Sequence, residues 1–204
     1  MKLLVVGASG RVGRRLCAYA VSDGHSVTAF VRDAARAPDG VSVVEGDVTD
    51  AGAVAAAVTG QDAVCSAFSP SEGDDLAVLD TGMANLVAAM EAGGVERLVA
   101  VAAAGILQAT PGRLRLELDD FPAGLRPVAA AHRAVYDRLR PSELDWTLVC
   151  PPRMPEGPPT NHYRTAVDYL PDGGQSVSTG DVATLVYEAA VDGRHSRERV
   201  GIAY

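Results

Sequence analysis

The opening residues constrain this chain more than any others. Lys2-Leu3-Leu4-Val5-Val6 is a short apolar run that passes directly into Gly7-Ala8-Ser9-Gly10-Arg11-Val12-Gly13. Arg14 to Val21 then reads as a helix stopping near Asp23-Gly24. An uninterrupted apolar run of this length fits a strand buried on both faces. The glycines after it stand at G-x-x-G-x-x-G, a spacing with a mechanism. Gly7 permits a tight turn, Gly10 leaves the backbone bare for an approaching pyrophosphate, and Gly13 lets the helix pack close to the strand. The helix N-terminus adds unpaired N–H groups and the positive end of its dipole. An ordinary glycine-rich turn is the alternative, but strand, turn and helix fall in the order that nucleotide binding requires.

With 204 residues, 48% hydrophobic and 22% charged, the chain suits one globular domain with a sizeable core. A net charge of −8 speaks against the broad basic face that a nucleic-acid partner needs, and it makes individual arginines informative about any anionic ligand. No apolar run approaches the roughly 18 residues of a membrane span. Met1 leads straight into the first strand without a leader-like segment, so a cytoplasmic protein with no membrane partner is expected. Cys17, Cys65 and Cys150 are odd in number, sit among apolar residues and lack metal-ligand spacing. They read as reduced core thiols, with no metal site.

A second strand, Ser26 to Val31, leads to Arg32-Asp33-Ala34-Ala35-Arg36. In a dinucleotide fold this point lies beside the adenosine ribose, where an acidic residue selects NAD and an arginine accommodates the 2′-phosphate of NADP. Arg32 and Arg36, one helical turn apart, can close on one phosphate, which favours NADP(H). Asp33 keeps open the alternative of bonding the ribose hydroxyls. A third strand, Val41 to Glu45, precedes Gly46-Asp47-Val48 and a helix from Ala51 to Val58 that Asp50 caps. Asp47 either accepts from the adenine amino group or serves the turn. Asp62 to Phe68 is a fourth strand, leaving through Ser69-Pro70-Ser71-Glu72-Gly73. A helix from Leu76 to Met90 and a fifth strand, Arg97 to Val101, follow, and the strand opens into Ala102-Ala103-Ala104-Gly105. This alternation implies an α/β, Rossmann-like doubly wound parallel sheet, with residues 1–204 as a single domain.

Beyond Gly105 the pattern loosens around Pro111, Pro122 and Pro127. Ala129 to Arg140 resumes as a helix with His132 and Tyr136, four apart, on one face. Leu144 to Cys150 is a sixth strand ending at Pro151-Pro152-Arg153. The stretch Pro151 to Gly174 is rich in Pro and Gly and holds Asn161, His162 and Tyr163, the composition of an acceptor-binding loop or lid. Ser178-Thr179-Gly180-Asp181 reads as the capped start of a last helix, Val182 to Ala190, and Arg199 to Ala203 as a final edge strand.

Taken together, the glycine turn at 7–13, Val31-Arg32-Asp33, Gly46-Asp47-Val48, Leu144-Asp145-Trp146-Thr147-Leu148-Val149, Pro151-Pro152 and Ser178 through Asp181 span nearly the whole chain. On these residues the chain resembles the atypical short-chain dehydrogenase/reductases, in particular the NmrA-like, NAD(P)H-binding group that includes biliverdin-IXβ reductase/flavin reductase. The resemblance implies NADP(H) lying across the carboxyl ends of the strands. It places Gly7, Ser9, Gly10, Arg11, Val12 and Gly13 at the pyrophosphate, and Arg32 and Arg36 at the 2′-phosphate. Asp47 and Val48 fall at the adenine and Ala67 and Phe68 near the ribose. Ala102 and Pro151 complete the cofactor set, with the segment after Pro152 beside the nicotinamide. In the flavin reductase branch a planar aromatic acceptor stacks over that ring.

The departures lie at the chemistry. Ketone-reducing members use a serine after the fifth strand and Tyr-x-x-x-Lys on the next helix, whereas this chain has Ala102-Ala103-Ala104 and Tyr136 followed by Arg140. The serine and histidine of the flavin reductase branch are replaced by alanine and Arg153. Without a donor, ketone reduction forgoes oxyanion stabilisation worth roughly 3 kcal/mol. Flavins and quinones delocalise the arriving charge and take a proton from water, so they need mainly placement. The expectation is an NADPH-dependent reductase of a planar conjugated acceptor, a monomer or weak homodimer. Arg153 pairs with an acceptor carboxylate or phosphate in this scheme, and Tyr136 and His132 are the candidate acid–base groups. A non-catalytic NADP(H) sensor and a non-redox tailoring enzyme are the rivals.

Overall fold

Side-chain parity in the first strand divides the core in two. A computed structural model describes residues 1–70 and 75–204. In β1 (Lys2–Val6), Leu4 and Val6 enter one apolar layer while Leu3 and Val5 enter the other, because successive strand side chains point to opposite faces. Along the chain there follow α1 (Arg11–Ser22), β2 (Ser26–Val31), β3 (Ser42–Glu45), α2 (Ala51–Val58), β4 (Ala63–Ser66), α3 (Ala77–Gly93) and β5 (Arg97–Val101). A small hairpin, β6 (Gln108–Thr110) and β7 (Arg113–Leu114), leads to α4 (Arg126–Leu139), β8 (Asp145–Cys150), β9 (Arg164–Val167), α5 (Thr179–Asp192) and β10 (Glu198–Ala203).

The eight-stranded sheet has the order β3-β2-β1-β4-β5-β8-β10-β9, parallel throughout except for the antiparallel pair β9–β10. Helices α1 and α5 cover the face of Leu3 and Val5, and α2, α3 and α4 the face of Leu4 and Val6. The chain winds outward from β1 through β2 to β3, then crosses back to lay β4 on the other side of β1. That reversal opens a crevice at the carboxyl ends of β1 and β4, where open α/β sheets bind ligands.

Three expectations are corrected. The strand near Arg199 is not an edge, because β9 pairs outside it, Val167 opposite Val200 and Arg164 opposite Ala203. The segment from Pro151 to Gly174 is therefore not loop throughout; β9 is mostly exposed and offers no apolar alternation for a sequence pattern to catch. Helix α4 begins at Arg126, since Pro127 falls in its first turn, where a missing N–H costs nothing. Of the exit loop expected after β4, Ser71, Glu72 and Gly73 lie outside the described residues. The three cysteines are free and buried, and desolvation pushes Cys17 and Cys65 up to about 12 and raises Cys150 as well. Among the described residues, no helix is long and apolar enough to cross a membrane.

Candidate functional site

The glycine turn is built by close approach. Gly7 has φ +79°, and a Cβ on it would lie 2.6 Å from the backbone nitrogen of Phe68. A Cβ on Gly13 would lie 2.2 Å from the carbonyl oxygen of Gly7 and 2.8 Å from Ala8 Cα, so only glycine lets α1 sit against the end of β1. Gly10 N–H donates to Gly7 O at 3.0 Å and closes the turn. Gly10 is the N-cap of helix α1 and supplies no side-chain cap. By contrast, Asp50 accepts from two amides of α2 and Ser178 from one of α5. The first-turn amides of Arg11, Val12 and Gly13 are thus unclaimed by a capping side chain, as at helix N-termini that bind phosphate, although these three residues do not themselves line the adjoining cleft.

Nine of the expected cofactor residues line one cleft at this crevice. Gly7, Ser9 and Gly10 form its floor, Arg32 and Arg36 stand at the exit of β2, and Asp47, Val48, Ala67 and Phe68 complete the wall. Phe30, Ser69, Pro70 and Val78 line it too, without any signal in the sequence. Gly82 in α3 explains how the wall closes: a Cβ there would meet Val48 at 2.7 Å and Phe68 at 2.9 Å. Asn85 Nδ2 then donates to Val48 O at 3.0 Å. Asp47 accepts from both the amide and the hydroxyl of Thr49, at 2.8 and 2.7 Å, so it serves the turn while lining the cleft.

The helical turn Ala34–Arg36 is held from three directions. Asp33 caps it by accepting from Ala35 N at 3.0 Å. Glu45, at the end of β3, accepts from Ala34 N at 2.9 Å. Arg14 donates from Nη2 to Arg36 O at 2.7 Å and from Nε to Ser9 O at 3.0 Å. Sequence reasoning passed over Arg14 and Glu45, although Arg14 lies one helical turn beyond Arg11 on the same helix.

Farther along the crevice, Ala102 N donates to Val149 O at 2.7 Å and Ala104 N to Pro151 O at 3.0 Å, joining the exits of β5 and β8. Ala102 and Pro151 are buried there and Arg153 is exposed, its backbone bridged to Ser176. Arg11 Nη1 reaches across from α1 to Met154 O at 3.4 Å. Tyr136 and His132 do not line the nucleotide cleft. The Tyr136 ring packs edge-on against Trp146 at 5.9 Å and beneath the Arg199 guanidinium at 4.4 Å. Trp146 pairs with Leu98 in the sheet, and the Arg199 guanidinium above the Tyr136 ring donates to Ile106 O beyond β5, so the ring packs under that junction and not in the cleft at the glycine turn. Burial lowers His132 to about 4, so its ring is neutral at pH 7. The first part of the expected lid is anchored rather than loose: Thr160 N and Asn161 N donate to Asp181 Oδ1 at 2.7 and 2.8 Å. Among the described residues no cluster of His, Cys, Asp and Glu is placed to hold a metal.

A glycine turn opening an uncapped helix at the switch point of a parallel sheet, faced by arginines at the next strand's exit, defines a dinucleotide-binding protein of the Rossmann class. The chain belongs to the NAD(P)H-binding family, whose sequence model matches residues 7–192. The Bacillus subtilis (strain 168) protein YwnB is 29% identical over 98% of this chain and 96% of its own length. A solved structure from Burkholderia pseudomallei, described as a candidate exported protein, is 32% identical over the whole of both chains, with a TM-score of 0.89. Another, from Streptococcus pneumoniae TIGR4 and described as a candidate NADH-flavin reductase, is 29% identical with a TM-score of 0.88, covering 100% of this chain and 99% of that one.

Proposed function

We propose that the protein is a cytoplasmic, NADPH-dependent reductase, monomeric or weakly dimeric, that passes hydride to a planar conjugated acceptor such as a flavin or quinone. The observation that carries the choice of NADPH is the engagement of Asp33. In the NAD-selective arrangement its carboxylate would bond the ribose hydroxyls; here Oδ1 caps the turn bearing Arg36, and the residues lining the cleft include Arg32 and Arg36 but not Asp33. Three free, buried thiols suit a reducing compartment.

The bound coenzyme supplies the hydride. The chain's own residues bind and orient: the first-turn amides of α1 take the pyrophosphate, and the two arginines take the 2′-phosphate. Ala102, Ala104 and Pro151 give the nicotinamide end a smooth apolar seat. No hydroxyl stands at the exit of β5, where Ala102, Ala103 and Ala104 follow the strand, so that end of the crevice offers little to stabilise an alkoxide. An acceptor that spreads the incoming charge over fused rings needs no such group. Likeness to the candidate NADH-flavin reductase of S. pneumoniae supports the same acceptor class.

The test follows NADPH absorbance with pure protein against flavins, quinones and tetrapyrroles, and compares Arg32→Ala with wild type for NADPH and NADH. Oxidation by at least one acceptor, and a loss in Arg32→Ala confined to NADPH, are expected. Equal losses for both coenzymes would remove the phosphate assignment. Ala102-Ala103-Ala104 also favour a second reading, an NADP(H) sensor, and coenzyme binding without oxidation by any acceptor would select it.

A further inference from the structure

A second cleft, of about 450 Å³, lies between the β6–β7 hairpin and the segment that follows β9. Its volume is in the range of small-molecule sites. One wall carries Gln108 and Arg115, and the other carries Tyr169, Asp172 and Gln175. Both walls grow out of the strand exits where the nicotinamide seat lies. The first starts six residues beyond Ala102. The second ends beside Ser176, which bridges Arg153 two residues past Pro151.

The walls are fixed, not draped. Buried Arg199 donates from Nη1 to Ile106 O at 2.6 Å and from Nε to Asp168 Oδ1 at 2.7 Å, stapling both at their base. Gln108 N donates to Asp168 O at 2.8 Å. Gly201 lets the second wall lie flat on β10, since a Cβ there would fall 2.0 Å from Tyr169 O.

Within this frame Arg115 is unlike the arginines around it. Arg126 donates to Leu116 O and Leu118 O, Arg133 pairs with Asp137, and Arg199 holds Ile106 O and Asp168. Arg115 is half-buried, and among the described residues its guanidinium has no hydrogen bond or ion pair, not even with Asp172 on the opposite wall. A partly desolvated charge ordinarily finds a partner, and in a chain of net charge −8 acids are plentiful. Tyr169 is exposed on the facing wall and offers a ring on which a conjugated plane can stack. Gln108 spends its Oε1 on Gly112 N at 2.9 Å and keeps its amide N–H groups as donors.

We propose that this cleft seats the anionic arm of the acceptor, and that Arg115 recognises its carboxylate or phosphate while Tyr169 stacks on its ring system. The acceptor class is thereby narrowed to planar conjugated molecules bearing one anion, and Arg115, not Arg153, becomes the specificity-determining arginine. This rests on the reductase reading only for calling the ligand an acceptor.

The experiment is therefore direct binding to the full chain without coenzyme, using two matched pairs: anthraquinone-2-carboxylate with its carboxamide, and FMN with riboflavin. In wild type the charged member of at least one pair binds about tenfold more tightly, as a charge-assisted bidentate contact gives. A preference within the first pair identifies a carboxylate arm and within the second a phosphate arm. Arg115→Met abolishes the preference, Arg115→Lys restores part of it, and Arg153→Met leaves it intact, with NADPH affinity unchanged in the two Arg115 variants. Equal binding of charged and neutral partners, or a preference that survives Arg115→Met, would overturn the proposal. Absence of NADPH oxidation with the charge preference intact would sink the reductase assignment alone.

Discussion

Arg14 donates from Nη2 to the main-chain carbonyl of Arg36 across 2.7 Å, and its Nε holds the carbonyl of Ser9 at 3.0 Å. One side chain on α1 thus joins the glycine turn to the turn that carries Arg36. These two parts of the cleft wall are thereby fixed at one separation.

Replacing Arg14 with Met removes that tie without touching the glycine turn, Arg32 or Arg36, the groups proposed to hold the phosphates. NADPH affinity is expected to fall about fivefold to tenfold, the worth of one or two partly exposed hydrogen bonds. NADH, which has no 2′-phosphate to place against Arg36, should lose less. Fluorescence titration with both coenzymes measures this, and an equal loss would confine Arg14 to a role at Ser9.

Gly13→Ala is expected to destabilise the fold and the site together. The added methyl would stand 2.2 Å from Gly7 O, and both neighbours are backbone, which cannot swing aside as a side chain can. Overpacking of this kind costs about 2–3 kcal/mol. Urea denaturation measures the stability and titration the coenzyme affinity. A fully stable variant with unaltered NADPH binding would contradict the close packing of α1 on β1.

How much of this was legible beforehand depended on how local the cause was. The opening strand, turn and helix declare themselves because apolar run, glycine spacing and helix start follow one another within a few residues. Asp50 and Ser178 likewise announce their caps. Asp33 read only as the alternative ribose ligand, and its cap on Ala35 N came to light in the structure alone. Gly82 gave no signal, because its reason lies in Val48 and Phe68, reached across the α3–sheet interface. The strand β9 hid among prolines and glycines with a mostly exposed surface, so no periodicity marked it. Tyr136 and His132 were placed correctly on one helix, but sequence spacing could not say that neither would line the glycine-turn cleft.

Tyr136→Phe discriminates between chemistry and packing. The ring touches Trp146 and Arg199, and phenylalanine keeps both contacts. Turnover with any active acceptor is expected to stay within about twofold, whereas loss of a general acid would cost about a hundredfold or more. Tyr136→Leu should instead lower stability by about 1 kcal/mol, the worth of a partly desolvated cation–π contact. Steady-state kinetics and thermal denaturation together separate the two roles.

Asp181 makes the anchorage of the 157–163 segment sensitive to acid. The residue is fully buried at the start of α5. Its carboxylate accepts from Thr160 N, Asn161 N, the Thr160 hydroxyl and the Tyr204 hydroxyl at 2.7 to 2.8 Å. Burial alone would raise its pKa, but the bonds from Tyr204, Asn161 and Thr160 outweigh it and hold the carboxyl below the ordinary value. A group whose folded pKa is depressed contributes stability that is present above its unfolded pKa, near 3.9, and lost as the pH falls through the folded value. Asp181→Asn exchanges an acceptor oxygen for a donor among hydroxyls and is expected to cost about 2 kcal/mol at pH 7. Urea midpoints of the two proteins should stay apart from pH 7 down to about 5, then converge below about 4 as wild type loses its advantage. The same acidification should open the 157–163 segment to amide exchange in wild type before the sheet unfolds, since Thr160 and Asn161 lose their acceptor first. A gap in midpoints that stays constant down to pH 3 would mean that the charge of Asp181 contributes nothing to this anchorage.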